Sequence, residues 1–165
     1  LRVTGFEHDL MAYLPRLRRF ATGLARNAAD ADDLCQAAVE RALRSRDQWQ
    51  PGTRLDSWMY RIMRNMWIDE TRARRRRDAL MAPEDAGATV GDRGDAAIEA
   101  RVELGNVDQA MTALPGEQRE AILLVLVEGF GYREAADILD IPIGTLTSRL
   151  ARGRAALIER LGEAA

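Results

Sequence analysis

The sequence predicts an all-α protein built from two small helical domains. Three observations predict it. Ala, Leu and Arg dominate the 165 residues, while aromatics are only 5%, which is helix-forming material. Apolar residues recur at three- and four-residue steps in several separate windows. Between two such groups lies "DALMAPEDAGATVGDRGDAAI", residues 78–98, where the periodicity stops. That stretch is rich in Gly, Ala and Asp, holds Pro83, and sets five acids against Arg93 alone. It reads as an acidic, flexible linker. The division is therefore residues 1–77, a linker over 78–98, and residues 99–165.

The elements follow in order. Residues 8–26 carry Leu10, Tyr13, Leu14, Leu17, Phe20, Ala21 and Leu24 on one stripe, with Pro15 predicting a kink or a late start. A second helix starts near Asp30, where acids suit the positive end of the helix dipole. Leu34, Ala38, Ala42 and Leu43 can face a core, leaving Asp33, Gln36 and Glu40 on another face. "WQPGT" is a turn, with Thr53 and Asp56 resembling a capping box. A third helix is expected over 54–76, with Leu55, Trp58, Met59, Ile62 and Met66 inward.

After the linker, helices are expected at 99–113 and 116–128, the second carrying Ile122, Leu123, Val125, Leu126 and Val127. Gly129 and Gly131 interrupt it. A short helix at 132–139, the turn "DIPI" and a longer last helix to about Leu161 form the helix-turn-helix pattern. Ala135 and Ala136 are small where two crossing helices must approach. On the last helix Leu146, Leu150, Gly153 and Leu157 share one face, and Ser148, Ala151, Arg152 and Ala155 lie opposite.

Composition excludes several functions. Net charge is −2, so the chain as a whole is not a basic nucleic-acid binder. All 24 basic residues are arginine, each a planar fork suited to phosphate or carboxylate. Cys35 and His8 are the only residues of their kinds, which leaves no internal disulfide and no ordinary zinc site. Cys35 reads as a small buried thiol. There is no nucleophile–His pairing and no Gly-rich phosphate loop, so an enzyme is not expected and no cofactor is called for. Without a membrane span or secretory signal, a cytoplasmic location is expected.

Three constellations remain. The outer face of the last helix offers Thr147, Ser148 and Arg152 to base edges, with Arg149 and Arg154 at its margins for phosphates. "YRIMRNMWIDETRARRRR", 60–77, sets seven arginines among Tyr60 and Trp67, with Trp58 beside them. Cations interleaved with aromatics suit single-stranded or distorted DNA, although helical spacing favours a core role for Trp58. The face of Asp33, Gln36 and Glu40, with Arg41 beside it, suits a protein partner or plain solvation.

"ADDLCQAAVERAL" resembles the signature helix of bacterial RNA polymerase sigma factors. "LDSWMYRIMRNMWIDETR" resembles their promoter-melting segment, and "LPGEQREAILLVLVEGFGYREAADILDIPIGTLTSRLARGRAAL" is similar to their C-terminal helix-turn-helix. The arrangement is that of the two-domain extracytoplasmic-function (ECF) group, and it covers nearly the whole chain outside the linker. The phrase "PGTRLDSWMYRIMRN" is also similar to general-stress members from alphaproteobacteria.

The resemblance implies core RNA polymerase as partner, through its β′ clamp helices and β flap, and assigns the β′ contact to Asp33, Gln36, Glu40 and Arg41. It implies −10 promoter opening with capture of a flipped base by Asn65 and its neighbours Arg61, Arg64, Met66, Asp69 and Arg72. It implies −35 reading by Thr147, Ser148, Ala151 and Arg152, with Arg149 and Arg154 on phosphates. An anti-sigma factor is a further implied partner. Thr147 and Ala151 depart from a pattern that often has a basic and a bulkier residue there, which leaves a small outer face. The alternative is a sigma-like mimic that sequesters an anti-sigma factor without binding promoter DNA; the retained arginines at 72–77 and 149–154 weigh against it.

Overall fold

A computed structural model describes residues 5–81 and 100–163. Among these residues there are seven α-helices and no strand. The N-terminal bundle is α1 (Gly5–Ala25), α2 (Ala28–Arg44) and α3 (Leu55–Met81), with one short 3-10 turn at Arg46–Gln48. The C-terminal bundle is α4 (Ala100–Ala113), α5 (Gly116–Ile122), α6 (Tyr132–Leu139) and α7 (Ile143–Glu163). One apolar cluster runs through both bundles, from Leu10 to Leu150.

Helix α1 starts at Gly5 and passes through Pro15 without ending. Pro15 is exposed, so the hydrogen bond that proline cannot donate is lost on the solvent side of the bundle. Helix α2 starts two residues before Asp30. The Asn27 side chain accepts from the Asp30 N–H at 2.8 Å and donates back to the Asp30 carboxylate at 2.8 Å. Leu34, Ala38 and Ala42 are buried as expected, but Leu43 is 40% exposed, since the next position on the helix turns about 100° away.

Thr53 does not cap α3. Its hydroxyl donates to the Gln50 carbonyl, and Asp56 is instead gripped by Arg54 at 2.8 Å. Helix α3 runs to Met81, so residues 78–81 of the expected linker are helical; residues 82–98 lie outside the described ones. The inward stripe of α3 is also broader than expected. Tyr60 and Met63 are fully buried, and Trp58, Ile62 and Met66 are only partly so.

The helix expected over 116–128 changes its winding halfway. After Ile122 it continues as a π-helical stretch, Leu123–Val127, in which the Glu128 N–H donates to the Leu123 carbonyl at 2.8 Å. Gly129, at φ +76, then ends it in a conformation that glycine adopts without strain. The extra residue per turn brings Ile122, Leu123 and Leu124 into the core and leaves Leu126 and Val127 outside, 51% and 43% exposed.

Helix α6 occupies the expected residues and closes with Asp140 in the left-handed region, φ 53. The Ile141 N–H donates back to the Ala136 carbonyl at 3.0 Å, and Pro142 blocks continuation. Ala135, Ala136, Leu146 and Leu150 form the buried crossing of α6 and α7. At Gly153 α7 instead closes on α5, where a Cβ would stand 2.6 Å from Ile122 Cδ1 and 3.3 Å from Gln118 Cβ. Gly153→Val is therefore expected to cost about 1–3 kcal/mol through overpacking. Thermal unfolding checks this, with a lowered Tm expected for the variant.

Candidate nucleic-acid interface

The turn before α7 sets that helix against α6 with its seam, Leu146, Leu150 and Gly153, inward. Thr147, Ser148, Ala151, Arg152 and Arg154 are consequently exposed on its outer side. The Thr147 hydroxyl donates to the Ile143 carbonyl at 2.9 Å, leaving its oxygen free to accept. Arg149 differs from the other cations of this helix. Its side chain is 20% exposed and lies 3.6 Å from Glu117. Arg152 and Arg154 have no carboxylate partner among the described residues and present full charge to solvent. Ser148, Arg149 and Arg152 line a groove of about 430 Å³ against α5.

On α3 the −10 candidates separate into three places. Asn65, Met66 and Asp69 share a hollow of about 310 Å³, with Trp58 and Ile62 as apolar walls and Arg41 at its edge. A hollow that sets polar and charged groups against apolar walls suits a small planar ligand with hydrogen-bonding edges. Arg61 and Arg64 lie elsewhere, at the junction with the C-terminal bundle. Arg61 donates to the Asp137 carbonyl, and Arg64 Nε is 3.6 Å from Glu120. Arg72 is exposed farther along α3, on a basic surface that Arg64 also lines. Tyr60, grouped with the surface aromatics on sequence, is fully buried instead. Its ring packs on Phe20 at 4.7 Å and on Phe130 at 5.0 Å, joining the two bundles.

Beside that aromatic stack lies a charged hub that the sequence did not reveal. The Glu128 side chain is 1% exposed and accepts two hydrogen bonds from Arg19, each at 2.8 Å, and one from the Tyr60 hydroxyl at 2.6 Å. Arg16 approaches it at 3.5 Å and also reaches Asp56 at 3.4 Å. Arg54 bridges Asp56 to Glu134 on α6. Burial opposes the Glu128 charge, but the Arg19 and Tyr60 donors overcome it and hold the carboxyl below its usual range. The same burial, with Glu128 adjacent, pushes the Tyr60 phenol well up, so it stays a donor at every physiological pH. The partners stand 109 and 68 residues away in sequence, so no local pattern could have disclosed them.

Helix α2 presents Asp33, Gln36, Glu40 and Arg41 to solvent, with Gln36 donating to Glu40 at 3.2 Å. Cys35 lies beneath, buried, and burial raises its thiol, as suits an inert packing residue. The helix is tied to α3 by Asp30, which receives two hydrogen bonds from Arg74 at 2.8 and 2.9 Å. Those bonds, then the one from Asn27, lower the Asp30 carboxyl to about 2. A carboxyl depressed by folding adds stability above its unfolded value, 3.8, and loses it as pH falls through the folded one. Asp30→Asn should therefore be less stable than the parent at pH 7, with the gap closing as pH falls from about 4 toward 2. Carbon NMR of the Asp30 carboxyl should show a midpoint near about 2.

Among the described residues no group of His, Cys, Asp and Glu could hold a metal, and no helix is long and apolar enough to cross a membrane.

Comparison with known proteins agrees with this arrangement. Residues 10–77 match the model of Sigma-70 region 2, and residues 104–157 match that of Sigma-70, region 4. The chain is 38% identical over 151 residues to the ECF RNA polymerase sigma factor EcfG of Rhodopseudomonas palustris, covering 90% of this chain and 81% of that one. It is 32% identical over 161 residues to the RNA polymerase sigma factor CarQ of Myxococcus xanthus, covering 96% and 90%. The structure superposes with a TM-score of 0.80 on the Bartonella quintana sigma factor RpoE, solved in complex with the anti-sigma factor NepR, at 32% identity over 95% of this chain and 96% of that one. Sigma factors initiate transcription and are not enzymes. With both regions matched in order, and relatives of this kind aligned over most of their length, the chain belongs to the ECF group of RNA polymerase sigma factors.

Proposed function

We propose that this chain binds core RNA polymerase, directs it to −35 and −10 promoter elements and promotes DNA melting. Residues 1–77 serve as the polymerase- and −10-binding domain and residues 99–165 as the −35-binding domain. Asp33, Gln36, Glu40 and Arg41 meet the β′ clamp helices. Asn65, Met66 and Asp69 take a flipped −10 base, while Arg61, Arg64 and Arg72 hold the adjoining strand. Thr147, Ser148, Ala151 and Arg152 read the −35 element, with Arg149 and Arg154 on phosphates. The polymerase is cytoplasmic, and so is this chain when it acts.

The observation that carries the reading is the pairing, in one chain, of an exposed hollow around Asn65 with an exposed, small-residue recognition face around Ser148 and Ala151. Opening DNA costs on the order of 1–2 kcal/mol per base-pair step. A captured base and neutralised phosphates offset part of that. Because Arg61 and Arg64 are bonded to the C-terminal bundle in the free chain, promoter engagement requires the bundles to part. An anti-sigma factor, like the NepR bound to the similar RpoE, would regulate by holding them in an arrangement closed to polymerase.

The test is transcription by reconstituted core polymerase and this chain on a genomic fragment library, with start sites mapped. Discrete starts sharing upstream −35 and −10 elements are expected. A chain that binds no core polymerase and yields no transcript above core alone would be a mimic rather than an initiation factor.

A further inference from the structure

A second basic surface lies between the bundles and shares Arg64, Arg72 and Arg74 with the contacts described above. It is a cleft of about 610 Å³, walled by α3 with the end of α1 on one side and by the start of α5 on the other. Six arginines line it against two glutamates. Arg74 is neutralised by Asp30 and Glu70, and Arg64 by Glu120. Arg26, Arg72 and Arg75 are exposed and have no carboxylate partner among the described residues.

Arg119 makes no ion pair among the described residues and is 5% exposed. It touches only the carbonyls of Thr112 and Leu114, both at 3.4 Å, and its Nε has no hydrogen-bond partner. Arg64 Nε, in the same cleft, makes no hydrogen bond either, though it lies 3.6 Å from Glu120. Burial, then the Arg26 cation, lower Arg119 to about 10 against the opposing pull of Glu120, which leaves it charged at neutral pH. A buried guanidinium that donates to no carboxylate is costly, and an anion entering the cleft would supply the missing acceptor.

We propose that this cleft binds the phosphate groups of a small polyphosphate-bearing anion. One buried guanidinium without an ion pair, Arg119, and three free surface arginines match a compact, multiply charged oxyanion better than a single carboxylate. The volume lies in the small-ligand range of roughly 300–1,000 Å³. Trp67 and Ile68 in the α3 wall offer an apolar surface to whatever carries the phosphates. Since the walls belong to different bundles, a bound anion favours their docked arrangement and opposes opening. Binding itself does not depend on the promoter-reading assignment above, so the two can fail separately.

The test is calorimetric titration of the full chain, at constant ionic strength, with sulfate, inorganic triphosphate, ATP, GTP and a short single-stranded oligonucleotide. Saturable binding of triphosphate groups at least about 10-fold tighter than sulfate is expected. Arg26→Ala and Arg75→Ala should each weaken it about 10-fold with the circular dichroism of the fold unchanged. Glu128→Ala, which lies outside the cleft but loosens the bundles, should weaken it too. Tighter binding of ATP or GTP than of triphosphate identifies a nucleotide as the source, and equal binding identifies an inorganic one. Triphosphate binding no tighter than sulfate overturns the proposal. So does indifference to both arginine variants, or binding of the oligonucleotide alone.

Discussion

Glu128→Ala is expected to part the two bundles while leaving each folded. Its carboxylate is the point where Arg16, Arg19 and Tyr60 of the N-terminal bundle meet the C-terminal one. Removing one partner of a buried ionic contact typically costs about 3–5 kcal/mol, because the others are left buried and unpaired. Here those partners have an escape. Arg19 is already half exposed, and Arg16 and the Tyr60 hydroxyl regain water if the bundles separate. The loss should thus appear as opening rather than unfolding. Small-angle scattering should give a larger radius of gyration with unchanged helicity.

Glu128→Gln keeps an acceptor but drops the charge, and should fall between. Gly23→Leu offers an independent route to the same end. A Cβ at Gly23 would already lie 2.7 Å from Leu123 on the facing bundle, so a larger side chain acts as a wedge without touching any charge. If the docked state competes with polymerase, all three variants should bind core polymerase more tightly than the parent, in proportion to the fraction of open chain they populate. An unchanged radius in both Glu128→Ala and Gly23→Leu would show that neither contact holds the bundles together.

Arg152→Ala should have the largest effect on promoter choice. Arg152 is exposed, unpaired and on the outward face of α7 beside Ser148. Loss of a base-edge contact is worth about 1–3 kcal/mol, or roughly 5- to 150-fold in promoter binding, and relaxes the preference at one position of the −35 element. Arg154→Ala should differ in kind. As a phosphate contact it should weaken binding about equally across sequences and reduce the salt slope by about one. Arg149→Ala should do less than either, since its charge is already shared with Glu117 at 3.6 Å. Holoenzyme binding to a panel of −35 variants, repeated at several salt concentrations, separates the three.

Much of the fold was legible because it is written locally. The seam of α7, the short α6 and the turn between them follow from helical spacing, small residues at the crossing and Pro142 at the turn. The acids at the start of α2 and the apolar stripe of α1 are legible for the same reason. What escaped depended on partners far away in sequence. Tyr60 looked like a surface aromatic in an arginine-rich helix until Phe20, Phe130 and Glu128 closed around it. Thr53 and Asp56 had the spacing of a cap, but Arg54 and Arg16 claimed the carboxylate. The π-helical stretch at Leu123–Val127 was invisible to a 3.6-residue period, and it decides that Leu126 and Val127 face out. The candidate site was legible as a set of residues and not as an arrangement. Nothing in "YRIMRNMW" says that Asn65 and Met66 line a hollow while Arg61 and Arg64 are engaged by the other bundle.

That engagement is central to the proposed function: the free chain is closed on itself through Arg61 and Arg64, which are proposed to hold promoter DNA, and polymerase binding is proposed to open it. The direct measurement is the distance between dyes at Asp9→Cys on α1 and Glu159→Cys on α7, both exposed positions outside the proposed interfaces, in a Cys35→Ser background. Energy transfer between these positions should fall when core polymerase is added. An unchanged signal on polymerase binding would contradict it.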